Sequence, residues 1–181
     1  MDSLPLSTSQ RSLSVAISVL VDYLSRDDRD NRLWFNIRQH ILNDLNTVLL
    51  SRGQSPLFFI AAQKKGRQFL TEDLELRSKI TAQGLNAVLA EGEHKGLSAL
   101  FCLVNSPEGQ QLLNSDADLR GKITAKGLNA FVAEGENKGI SALLLLANSY
   151  EGRQLLIEYE DLRAKITTQG LNTFIAEGGY Q

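Results

Sequence analysis

Apolar residues recur at helical spacing along this chain, and the pattern separates an N-terminal part from a strictly periodic remainder. Between Gln10 and Leu24, the residues Leu13, Ile17, Leu20, Val21 and Leu24 fall on one helical face, and Arg26-Asp27-Asp28-Arg29-Asp30 follows as a polar connector. A second helix over Asn31 to Leu50 carries Leu33, Trp34, Ile37, Ile41, Leu45 and Leu49 largely on one side. No segment shows sustained period-two alternation rich in β-branched residues, so the pattern predicts an all-α protein.

From residue 55 onward the pattern repeats every 43 residues. Lys79-Ile80-Thr81, Lys122-Ile123-Thr124 and Lys165-Ile166-Thr167 mark the register, each followed by Gly-Leu-Asn at Gly84, Gly127 and Gly170. A fixed period of this length marks a stacked array, in which each unit buries its apolar face against its neighbours. The units span 55–97, 98–140 and 141–181, and residues 1–54 read as a two-helix cap. The expected fold is a right-handed α-solenoid of three 43-residue, three-helix repeats packed with this cap as one domain.

Within a unit, the first helix opens on Ser55, Ser98 or Ser141 as N-cap and runs through apolar residues such as Leu143-Leu144-Leu145-Leu146. A helix apolar all round belongs inside the stack. The second is announced most clearly by Ser106-Pro107 and carries Gly66, Gly109 or Gly152 at its third position. Glycine there costs about 0.5–1 kcal/mol against alanine, so its recurrence predicts close approach of another backbone. The third helix starts after Thr81, Thr124 or Thr167, with Leu85-Val88-Leu89, Leu128-Phe131-Val132 and Leu171-Phe174-Ile175 at i, i+3 and i+4. Gly92, Gly135 and Gly178 then stand where a left-handed residue would end it.

The run Gly53-Gln54-Ser55-Pro56-Leu57, leading into Phe58-Phe59-Ile60-Ala61-Ala62, resembles the opening of an ankyrin repeat, Gly-x-Thr-Pro-Leu before a short apolar helix. Gly96-Leu97-Ser98-Ala99-Leu100 and Gly139-Ile140-Ser141-Ala142-Leu143 are looser copies without the proline. Two departures count against a true ankyrin fold: the period exceeds that of ankyrin repeats by ten residues, and the segment Thr81 to Gly92 reads as a third helix where ankyrin repeats place a β-turn. Three helices in just over 40 residues look more like an armadillo unit. In its Gly-rich helical style the array is also similar to repeats in secreted effectors of intracellular bacteria such as Legionella. These resemblances cover Ser55 to Gln181 and imply an α-solenoid that binds proteins.

A net charge of −2 and a pI near 5.7 supply no global attraction to nucleic acid or anionic lipid. Cys102 is the only cysteine and lies in an apolar run, so it reads as a buried thiol and leaves no intrachain disulfide. The apolar stretch Leu13 to Val21 is interrupted by Ser14 and Ser18, precedes Asp22, and lacks a small-x-small cleavage site. The apolar runs elsewhere, Ala142 to Ala147 among the longest, fall far short of the ~20 residues of a membrane span. A soluble, cytoplasmic protein is the expectation, delivered into a host cell if it is an effector.

No catalytic, cofactor-binding or metal-binding set emerges. His40 and His94 lack partners at ligand spacing, and the familiar phosphate, nucleophile and zinc motifs do not occur. An enzyme would need Asp116, Asp118, Glu160 or Asp161 to converge with a histidine, whereas these acids also suit helix N-termini. The columns Arg77/Arg120/Arg163 and Lys79/Lys122/Lys165 offer a basic ladder for nucleic acid, or else ion pairs with acids such as Glu91, Glu134 and Glu177. Asn86/Asn129/Asn172 and Gln68/Gln111/Gln154 read as bonds to loop backbone between units. Trp34 reads as a core residue rather than an exposed anchor. Stacking demands sameness and recognition does not, so a partner protein is sought where the copies differ, at Lys64, Lys65, His94, Asn137 and Tyr150.

Overall fold

Residues 8–25, 31–48, 54–90 and 94–176 are described by the computed structural model. Every named element among them is a helix, and the only strand-like pairing there is an isolated antiparallel bridge between Phe131 and Ser141. The protein is all-α, as its periodicity predicts. Helix α1 (Thr8–Ser25) packs on α2 (Asn31–Ile41). The second predicted helix stops at Ile41 because the chain turns through Leu42 to Asn46, which brings the Leu45 carbonyl to the Leu57 amide at 3.0 Å.

The first period contains α3 (Pro56–Ala62), α4 (Lys64–Glu72), α5 (Leu74–Ser78) and α6 (Ala82–Asn86). The second contains α7 (Ala99–Val104), α8 (Pro107–Ser115), α9 (Ala117–Gly121) and α10 (Ala125–Asn129), and the third α11 (Ala142–Asn148), α12 (Tyr150–Glu158), α13 (Glu160–Arg163) and α14 (Thr168–Ala176). Each period thus holds four helical pieces where three were expected. The additional pieces are α5, α9 and α13, and for the first two the cause is a cap: Asp73 and Asp116 accept from the amides of Leu76 and Leu119, both at 2.9 Å. The predicted serine and threonine caps all form, at Ser55, Ser98, Ser141, Ser106, Thr81, Thr124 and Thr167, and Ser149 adds another at the start of α12.

Helices α3, α7 and α11 stack in order through the centre, each touching the next. Leu57, Ile60, Leu100, Leu103, Val104, Leu143 and Leu146 from these helices are buried in one continuous core that reaches from Leu20 to Leu162. Burying each such side chain is worth about 1.5–3 kcal/mol relative to leaving it in water. Helices α4, α8 and α12 form a second row of successive contacts, and α6, α10 and α14 a third. At the N-terminal end Trp34 is buried with its ring stacked on Phe69, centroids 3.9 Å apart, so it belongs to the core.

The predicted third helix is realised in full only as α14. In the first two periods it ends at Asn86 and Asn129, and Ala87 and Ala130 turn extended. The chain then folds back on itself: the Leu89 amide donates to Leu97 at 2.8 Å and the Gly96 amide to Leu89 at 2.9 Å, with Val132, Ile140 and Gly139 repeating the pattern. Gly96 and Gly139 close these turns at φ of +88° and +80°, a conformation that favours glycine. Gly135 has a positive φ but lies in the turn, not at a helix end, and Gly92 and Gly178 fall outside the described residues.

Candidate partner-binding surface

The recurring side chains of this protein are used to join one period to the next. Asn86, the last residue of α6, donates to the Lys122 carbonyl at 2.9 Å and accepts from the Thr124 amide at 3.1 Å. Asn129 does the same for Lys165 and Thr167, at 2.7 and 3.0 Å. The expected role of the asparagine column as a bond between units is what these two residues perform. Each amide packs directly on a glycine: a Cβ at Gly127 would meet Asn86 Cγ at 2.6 Å, and one at Gly170 would meet Asn129 Cγ at 2.7 Å. The close approach inferred for Gly66, Gly109 and Gly152 is to the preceding helix, where a Cβ would stand 2.6–2.7 Å from the Cα of Ile60, Leu103 or Leu146.

The arginine column forms a parallel set of joints. Arg77 donates through Nη1 to the carbonyls of Leu70 and Thr71 in its own period and through Nε to Asp116 of the next, at 2.8 Å. Its partner is thus the capping aspartate; of the proposed glutamates, Glu134 pairs with Lys95, and Glu91 and Glu177 lie outside the described residues. Tyr159 takes the place of that aspartate in the third period. The buried Arg120 lays its guanidinium over the Tyr159 ring, 3.5 Å from the centroid, and keeps only a looser approach to Asp161 at 3.8 Å. Lys122 pairs with Asp118 at 2.7 Å and Lys165 reaches the Arg120 carbonyl at 3.3 Å, while Lys79 is exposed.

Two joints come from residues that the 43-residue period does not contain. Asn46 donates to the Lys79 carbonyl at 2.8 Å and accepts from the Thr81 amide at 3.0 Å, the same geometry as Asn86. Arg38 binds Asp73 through two nitrogens and also Glu75. That pairing holds the Asp73 carboxyl below its ordinary range. The N-terminal pair therefore meets α5 and α6 as each period meets the next. Asn46 lies 40 residues before Asn86, and Arg38 lies 39 before Arg77, so a gapped self-comparison is the signal that finds them.

The glutamine column is not a joint: Gln68, Gln111 and Gln154 are all exposed. The buried Gln110 serves instead, donating to the Val104 carbonyl at 2.6 Å and accepting from the Ser149 hydroxyl at 3.0 Å.

The positions where the copies differ are placed as follows. Lys64 and Tyr150 open α4 and α12, with Pro107 at the equivalent place in α8. Lys64 is exposed, with Nζ 3.9 Å from Glu108, and Tyr150 is 66% exposed. Tyr150 also lines a groove of about 420 Å³ between α8 and α12, together with Pro107, Gln111, Asn114, Gln154 and Glu158. Lys65 points elsewhere, over the Tyr23 ring at 3.7 Å, with its ammonium 3.2 Å from the Tyr23 carbonyl. His94 and Asn137 occupy equivalent turns and are half-buried, His94 against the Phe58 ring at 5.3 Å. His40 is exposed on α2 with Nδ1 2.8 Å from the Asn36 carbonyl.

Among the described residues no group of three or more His, Cys, Asp or Glu is placed to hold a metal ion, and no helix is long and apolar enough to cross a membrane. Burial pushes the Cys102 thiol up to about 12. Compared with known proteins, the chain matches no family model, no curated protein and no solved structure.

Proposed function

We propose that the chain is a right-handed α-solenoid with an N-terminal cap and that it binds another protein, as an adaptor, inhibitor or effector that works by docking or occlusion. The observation that carries this reading is the recurrence of one joint, an asparagine bracketing a loop and an arginine reaching forward, between elements 43 residues apart. Sameness is spent on those joints. Lys64, Pro107 and Tyr150 differ at one equivalent place; Pro107 and Tyr150 line the α8/α12 groove and Lys64 approaches Glu108 of α8, which supports this edge as the partner surface, with Asn137 and His94 on the turns as a second. The folded-back turns after α6 and α10 stand where ankyrin repeats place theirs, which favours that side of the resemblance, although the period is longer. A cytoplasmic location, or delivery into a host cell, goes with the same reading.

A nucleic-acid-binding ladder is the weaker alternative, because Arg77 and Arg120 are already engaged with Asp116, Tyr159 and Asp161. Capture from lysate with the purified chain tests the choice. One specific protein partner should be retained by the natural chain and lost with Lys64→Glu combined with Tyr150→Ala; Lys65 is left intact because it packs on Tyr23. Unchanged capture would move the binding surface off this edge. Retention on heparin with a steep loss as salt rises would favour nucleic acid instead.

A further inference from the structure

Between the first and second periods, one carboxylate is held by two cations. Glu108 of α8 receives Arg67 at 3.3 Å and Lys64 at 3.9 Å, both from α4. One period on, Glu151 of α12 stands where Glu108 does, but Gln110 replaces Arg67 and Pro107 replaces Lys64. Gln110 keeps the inward half of the arginine's contacts, donating to the Val104 carbonyl as Arg67 does to the equivalent Ala61 carbonyl. It carries no charge outward, and neither lysine nor arginine lines the groove between α8 and α12 where Glu151 lies.

Glu158 lines the same groove, and like Glu151 it is exposed. Seven residues apart on α12, the two carboxylates share one helical face about 10.5 Å apart along the axis. Gln154 lies between them, and Gln111 stands on the opposite wall, on α8. Both belong to the glutamine column, which is identical in all three copies although every member is exposed. The joints between periods do not account for that sameness. Tyr150 adds an exposed aromatic face where α12 begins.

We propose that the α8/α12 groove holds an extended segment of the partner protein, in polyproline II conformation, that carries arginines three residues apart. Charge sets the sign of the partner, since the groove presents acids without the cations that Glu108 has. Spacing selects the backbone: polyproline II returns to the same side every three residues, or about 9 Å, close to the separation of the carboxylates. A β-strand returns to the same side after about 7 Å. Polyproline II also leaves its backbone groups without internal hydrogen bonds, and the glutamine amides on both walls can donate and accept. Prolines between the arginines find an aromatic surface in Tyr150. The inference rests on the protein-binding reading and deepens it by naming what the partner presents to that edge.

The test is fluorescence anisotropy of a labelled Arg-Pro-Pro-Arg-Pro-Pro-Arg peptide titrated with the natural chain. Binding should be saturable and should weaken as salt rises. Glu151→Gln should weaken it at least about threefold, and Glu151→Gln with Glu158→Gln at least about tenfold. Both carboxylates are exposed, so these variants should keep Tm within about 1 °C. Gln110→Arg should also weaken binding, because it returns to Glu151 the cation that Arg67 gives Glu108. A peptide of the same composition with its arginines adjacent should bind at least about threefold more weakly. No saturable binding, an affinity unchanged in the double glutamate variant, or equal binding of the two peptides would overturn the proposal. Dimers of the natural chain abolished by Glu151→Gln would assign the groove to a second copy and overturn the choice of occupant. Failure of the peptide while Lys64→Glu with Tyr150→Ala still abolishes capture overturns this inference alone; capture unchanged by that pair overturns the binding edge itself.

Discussion

Asn86 and Gly127 make one joint between them, and neither works without the other. The amide side chain fills the space a Cβ would need and satisfies a carbonyl and an N–H that no helix pairs. Asn86→Ala should cost about 1–3 kcal/mol in chemical denaturation, the penalty for leaving such groups without partners, while Asn172→Ala should be near neutral. Gly127→Ala should be comparably damaging alone and less than additive with Asn86→Ala, because the double variant removes the clash with the amide. Asp73 carries a pH dependence of definite sign. Its carboxyl is held below its ordinary value by the Arg38 bond, so the stabilisation is complete above about pH 4 and is lost as pH falls through the lowered folded value. Asp73→Asn should therefore weaken the protein at neutral pH, with the gap to the natural chain closing in acid denaturation curves. Cys102 behaves oppositely: its raised thiol value makes a contribution that is present below about pH 8.5 and lost as pH rises toward the folded value of about 12. A thiol reagent at pH 8 should label the unfolded chain readily and the folded chain slowly.

At the scale of the element, Gly109 shows how tightly helix pairs are set. With a Cβ 2.6 Å from Leu103 Cα, Gly109→Ala must push α8 off α7, and should cost about 1–3 kcal/mol in urea melts. This contact was legible, since glycine weakens a helix and recurs inside one chiefly where a neighbouring backbone leaves no room for a side chain. The serine and threonine caps were legible too, because capping is a local rule acting within four residues. The early ends of α6 and α10 were not. Leu85, Val88 and Leu89 keep helical spacing, but Leu89 donates to the Leu97 carbonyl and accepts from the Gly96 amide, and periodicity over five residues cannot distinguish the two outcomes. Arg38 and Asn46 were hidden by small shifts in spacing, although their side chains make the same bonds as their counterparts. The exposed edge at Lys64 and Tyr150 could be named from disagreement among copies, whereas the inward turn of Lys65 onto Tyr23 depends on α1, which no repeat position encodes.

Over the whole molecule, contact runs from α1 through α3 and α7 to α11, so among the described residues the first and second periods are each braced on two sides and the third on one. Amide exchange should accordingly be slowest in α7 and α8 and faster in α12, a gradient readable peptide by peptide. The successive joints are also chemically unequal. Two of them hold an arginine against a capping carboxylate, and the last holds Arg120 against the face of Tyr159. A carboxylate surrenders its charge in acid, and an aromatic face has none to surrender. Acidification therefore gives the stack a direction of failure, loosening the link between Arg38 and Asp73 while the link at Tyr159 still grips, so that the N-terminal pair lets go of the first period before that last link yields.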